Sequence, residues 1–100
     1  MKSLKNQNTK NLVNAIDSLK NEKEVWAFMC DLLTEKEIAE FGRRWEAAKM
    51  LDRKVPYTDI VKETGLSSTT VARVSKWLSK GEGGYRLMID RMHHQHKTSS

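Results

Sequence analysis

Apolar residues recur at helical spacing in six blocks, and these blocks predict an all-α chain of about six helices. In the first, Leu12, Val13, Ile16 and Leu19 fall at i, i+1, i+4 and i+7, giving an amphipathic helix over about Thr9 to Lys20. The second opens on Asn21, with Glu24 placed as the reciprocal partner of an N-cap. It continues through Val25, Trp26, Phe28, Met29, Leu32 and Leu33, apolar around much of the helix, so it should be buried either within the domain or between subunits. Thr34 and Glu37 form a capping-box pattern that starts the third helix, flanked by Leu33 and Ile38 as a hydrophobic staple. Ile38, Phe41, Trp45, Ala48 and Leu51 mark its expected core face. Pro56 disfavours helix in the residue before it, so this helix should stop near Asp52 to Lys54. Gly42 costs about 1 kcal/mol relative to Ala inside a helix, which suggests close helix packing or a nearby ligand.

The next two blocks lie over residues 57–79. Ile60, Val61, Leu66, Val71 and Val74 are spaced so that two short helices can pack across a tight turn at Gly65, the spacing of a helix-turn-helix. Ser67 is placed to cap the second of them. After the break at Gly81 to Gly84, Tyr85, Met88, Ile89 and Met92 mark a short closing helix. The resulting plan is a disordered basic lead over residues 1–8, a single helical domain over 9–92 and a polar tail over 93–100.

Composition narrows the function classes. One hundred residues with 38% hydrophobic content suit one domain whose modest core gains from a partner subunit. A net charge of +5 favours a polyanionic partner. The single cysteine, Cys30, suits a reducing compartment and is expected as a small core residue. No apolar run approaches the ~18 residues of a membrane span, so the expectation is a soluble, cytoplasmic protein with no membrane partner.

Chemistry concentrates on the helix-turn-helix. The recognition helix opens on Ser67, Ser68, Thr69 and Thr70, whose hydroxyls suit base edges or phosphates at a helix N-terminus in the major groove. Between Gly65 and Gly81 stand Arg73, Lys76 and Lys80 and no acidic residue, the asymmetry a phosphate-facing surface needs. A helical hairpin that binds another protein is the alternative. His93, His94 and His96 are close enough to share an ion, but no Cys or acid lies beside them, and no metal is expected. Asp and Glu are dispersed along helix faces with no nucleophile–base set, so no enzyme is expected.

The run LTEKEIAEFGRRWEAAKML, followed by YTDIVKETGLSSTTVARVSKWL, resembles the tryptophan repressor, and the GEGGY that follows is similar to a small branch of that superfamily. The resemblance covers about Leu33 to Tyr85. It implies an intertwined, all-helical homodimer with one DNA-reading head per chain, located in the bacterial cytoplasm at the nucleoid. It also assigns Thr34, Arg44 and Arg73 to the family's ligand site. Val74 stands where the family has a glycine and Trp77 where it has a serine, so a free tryptophan is expected to find its space filled. A valine intruding on such a slot costs about 1–3 kcal/mol. No cofactor is then expected, and DNA affinity would be constitutive or set by another effector. The overall reading is a regulator that contacts double-stranded DNA through Thr58, Lys62, Ser67, Ser68, Thr69, Thr70, Arg73, Lys76 and Lys80. Two heads on a dyad place its half-sites one helical turn apart, ~34 Å.

Overall fold

The computed structural model describes residues 5–99, with side chains through His94. The first four residues of the expected lead, Ser100 and the His96 side chain lie outside the described residues. The described residues form six helices and no strand: α1 (Gln7–Asp17), α2 (Glu22–Leu32), α3 (Glu35–Asp52), α4 (Tyr57–Thr64), α5 (Ser68–Lys80) and α6 (Gly84–Ser99). They divide into two compact units, Met1–Ile38 and Ala39–Ser100.

In the first unit, α1 opens earlier than its apolar stripe predicts. Asn6 caps it: the Asn6 side chain accepts from Thr9 N–H at 3.0 Å, and Thr9 Oγ1 accepts from Asn6 N–H at 2.9 Å. Thr9 is thus the third residue of the helix, and α1 ends at Asp17 rather than Lys20. The cap of α2 also differs from expectation. Asn21 accepts from Glu24 N–H at 2.9 Å as expected, but the Glu24 carboxylate reaches one residue further back, to Lys20 N–H at 2.9 Å. Neither helix has a buried residue, and Trp26 is 59% exposed. Burial inside the single chain, one of the two environments expected for α2, is not observed. Cys30, expected in the core, is exposed because it lies on this uncovered helix. The cap of α3 is the predicted one: Thr34 Oγ1 accepts from Glu37 N–H at 3.1 Å and Glu37 accepts from Thr34 N–H at 2.9 Å.

The second unit holds the core. Ala47, Ala48 and Met50 of α3, Ile60 of α4, Leu66 of the turn, Val71 and Val74 of α5 and Ile89 of α6 are its buried residues. Ala48 of the expected α3 face is fully buried and Trp45 and Leu51 pack against the core, but Phe41 is 44% exposed, and Ala47 and Met50, outside that face, are buried. Gly42 does not mark close packing within the chain, since a Cβ built there would meet nothing within 4 Å. Gly42→Ala should therefore raise stability by about 0.5–1 kcal/mol, read as a higher denaturant midpoint.

α3 ends in a Schellman motif. Val55 N–H reaches Met50 O and Lys54 N–H reaches Leu51 O, both at 3.0 Å, with Lys54 at φ 66°. Pro56 then begins α4, accepting the N–H groups of Asp59 and Ile60 at 3.1 Å. At the far end of α5, Gly81 is sterically fixed. A Cβ there would collide with the Trp77 carbonyl, which accepts Gly81 N–H at 2.8 Å.

α6 is anchored to α3 by two contacts. Tyr85 stacks on Trp45 with ring centroids 6.4 Å apart, and Arg86 Nη1 donates to Asp52 Oδ1 at 2.7 Å. Burial pushes the Tyr85 phenol up from its ordinary 10.0, partly offset by the Arg44 charge. The neutral phenol is the form this packing favours, so its contribution is intact below pH 10.0 and is lost as pH rises through the elevated pKa. Tyr85→Phe should flatten the alkaline limb of a stability–pH curve. α6 also runs on past Met92 to Ser99, where a tail was expected, because its length is not set by its apolar stripe. His93 and His94 are exposed on it, and no group of three metal-ligating side chains occurs among the described residues.

Candidate nucleic-acid interface

The turn between α4 and α5 is built from its own side chains. Gly65 adopts φ 77°, the left-handed conformation that glycine takes without Cβ strain, and its N–H closes on Val61 O at 2.9 Å. Thr64 Oγ1 donates to Ile60 O at 2.7 Å and accepts from Leu66 N–H at 3.2 Å, turning the chain so that Leu66 enters the core. Ser67 then caps α5, its Oγ accepting from Thr70 N–H at 3.1 Å.

That cap divides the hydroxyls expected to read DNA. Ser67 also donates to Thr70 Oγ1 at 3.0 Å, so both side chains are engaged in starting the helix. Ser68 and Thr69 remain exposed in the first turn. At 100° per residue, Val71, Val74 and Leu78 fall on one side of α5, and Val71 and Val74 are fully buried. Thr69, Arg73, Lys76 and Lys80 fall together on the opposite side, all exposed, in a stripe about 16 Å long. Thr58 and Lys62 are exposed on α4.

Pairing distinguishes these cations from four that lie between Arg43 and Arg53. Arg43 and Arg44 both pair with Glu40, at 3.6 and 3.3 Å, while Lys49 and Arg53 pair with Glu46 at 3.1 and 4.0 Å. Among the described residues, Lys62, Arg73, Lys76 and Lys80 have no side-chain ion pair or hydrogen bond. Their charge is uncompensated, as the absence of acidic residues between Gly65 and Gly81 leads one to expect for Arg73, Lys76 and Lys80.

The residues that the resemblance assigned to a ligand are placed as follows. Thr34 caps α3 in the first unit, its hydroxyl held by Glu37 N–H. Arg44 and Arg73 belong to the second unit, where Arg73 is exposed on the α5 stripe. The Arg44 guanidinium, already paired with Glu40, has Cζ 5.9 Å from the ring centroid of Phe41 and 5.9 Å from that of Trp77. Val74 is fully buried and Trp77 is 41% exposed. This cation-π contact links α3 to the recognition helix, and α4 and α6 flank that helix on its buried side.

Comparison with known proteins places this geometry. The sequence model of the family described as Trp repressor protein matches residues 7–93. The chain is 38% identical over 89 residues to the uncharacterized protein YerC of Bacillus subtilis, covering 89% of this chain and 86% of YerC. A TrpR-like protein from Eubacterium eligens superposes with a TM-score of 0.86 at 38% identity, covering 93% of this chain and 96% of that one. A candidate Trp repressor from Staphylococcus aureus gives a TM-score of 0.84 at 34% identity, covering 92% of each chain. With a helix-turn-helix built as described and a family match across all but the two ends of the sequence, this chain belongs to the Trp repressor protein family.

Proposed function

We propose that the protein is a homodimeric transcriptional regulator that binds double-stranded DNA through α4 and α5 and does so without free tryptophan. The observation that carries DNA binding is the exposed stripe Thr69–Arg73–Lys76–Lys80, whose three cations have no acidic partner among the described residues, while Arg43, Arg44, Lys49 and Arg53 share the carboxylates of Glu40 and Glu46. Phosphates would be met by Lys62, Arg73, Lys76 and Lys80, and base edges or bridging waters by Ser68 and Thr69. Ser67 and Thr70 serve the same surface by fixing the helix start. Dimerisation is supported by the first unit, where Val13, Ile16, Trp26 and Leu32 are each about half exposed or more, apolar area that a second copy would cover.

Independence from tryptophan rests on Arg44, Val74 and Trp77. The guanidinium is occupied by Glu40 and two rings, and Val74 is fully buried in the core. The chain thus supplies its own indole where the family resemblance places a ligand. Calorimetry with L-tryptophan should give no heat of binding in the micromolar range; saturable micromolar binding would contradict this part of the reading. DNA binding is tested by a salt titration. With about four phosphate contacts per head, the log–log slope against salt should be near −3.6 per head, and a salt-independent affinity would refute a phosphate-reading surface.

A further inference from the structure

A second hollow lies on the other side of the recognition helix, away from Arg44 and the basic stripe. It encloses about 400 Å³ where the end of α3, the α3–α4 connection, α5 and the start of α6 meet, a volume within the range of small-molecule sites. Leu51, Val55 and Leu78 give it an apolar floor that is only half buried, and the Tyr57 ring stands 45% exposed at its edge. Ser75 and Ser79 of α5 also line it, while its charged rim is formed by Lys54 and the Asp52–Arg86 pair.

Lys54 is the informative residue. It occupies the left-handed position of the Schellman motif, φ 66°, where glycine is the ordinary choice and a side chain is strained. Its ammonium has no ion pair or hydrogen bond among the described residues, although Asp52 lies on the same rim. Arg86 is engaged by Asp52 at 2.7 Å and by Asp90 at 3.5 Å, which leaves the Lys54 ammonium as the one unpartnered charge among the residues that line the hollow.

We propose that this hollow is an effector site for a small organic monoanion, a carboxylate carrying an apolar or aromatic body. The carboxylate would meet Lys54 and the Ser75 hydroxyl, since Ser79 Oγ already donates to Ser75 O at 3.2 Å, and the body would lie on Leu51, Val55, Leu78 and Tyr57. A DNA phosphate would satisfy the charge but has no use for the apolar floor. Ser75, Leu78 and Ser79 share α5 with the DNA-facing stripe, so occupancy of the hollow bears directly on the recognition helix. The regulatory part of this proposal rests on the DNA-binding reading; the binding part does not.

The test uses benzoate as probe, with benzamide as its uncharged isostere, against the full-length protein without DNA. Benzoate should cause saturable amide shifts at Lys54 to Tyr57 and at Ser75 to Ser79, with benzamide at least about fivefold weaker. Lys54→Gly relieves the backbone strain, so it should fold at least as stably as the wild type while weakening benzoate about fivefold. Equal response to the two probes, an unchanged benzoate affinity in Lys54→Gly, or no saturable shift would overturn the site. In a second arm, saturating benzoate should change wild-type DNA affinity by about fivefold and leave that of Lys54→Gly unchanged. DNA affinity that ignores benzoate in the wild type would remove the regulatory role. Absence of DNA binding altogether would instead count against the DNA-binding reading, leaving the first arm to decide the site.

Discussion

Replacing Arg73 and Lys76 together with alanine should weaken DNA binding by about two to three orders of magnitude in a two-headed complex, at about 1 kcal/mol for each phosphate left without its cation. The salt slope should fall by about one for each such phosphate. Both residues are exposed and unpaired on α5, and Ala is the better helix former, so unfolding should shift by no more than about 0.5 kcal/mol. Weakened binding with retained stability separates a DNA surface from a structural one. A decrease smaller than about threefold would place DNA elsewhere on the molecule. Because the two substitutions act on charge rather than on the cap, Ser68 and Thr69 stay positioned by Ser67 and can be varied independently to read base preference.

Ile60→Ala should have the largest effect on stability, about 2–5 kcal/mol. Ile60 is one of the largest fully buried side chains, and it sits on α4 in a core shared with Ala47, Ala48, Met50, Leu66, Val71, Val74 and Ile89. A domain of this size shifts its melting temperature by about 4–8 °C per kcal/mol, so a drop of ten degrees or more is expected by calorimetry. DNA binding should recover at low temperature, where the folded fraction returns. Permanent absence of binding with full folding would make Ile60 part of the reading surface, contrary to its burial.

Local chemistry that leaves a signature in sequence is legible from the residue types alone. The Thr34–Glu37 capping box, the left-handed Gly65 and the Ser67 cap each stand where those types predict; the first starts α3, and the other two build the turn of the helix-turn-helix. Features that depend on which faces meet are not. On α3 the apolar spacing places Phe41 on the core face and leaves out Ala47 and Met50, whereas Phe41 is exposed and Ala47 and Met50 are buried. α1 begins on Asn6 and Thr9, polar residues that an apolar stripe does not register. Ser67, Ser68, Thr69 and Thr70 look alike in the sequence, and only the structure shows that Ser67 and Thr70 also hydrogen-bond within the cap. Arg44 is legible as a cation on α3; its place between Phe41 and Trp77 requires the packing of α5. Lys54 is hidden for a different reason: the glycine that usually announces a left-handed cap is not there.

The central claim is that two copies of this helix-turn-helix read specific DNA, and selection of bound fragments from a random DNA pool tests it most directly. Carried out without tryptophan, the selection should enrich a palindromic sequence whose half-sites lie about one helical turn, ~34 Å, apart. A pool that shows no enrichment after repeated rounds at low salt would contradict it.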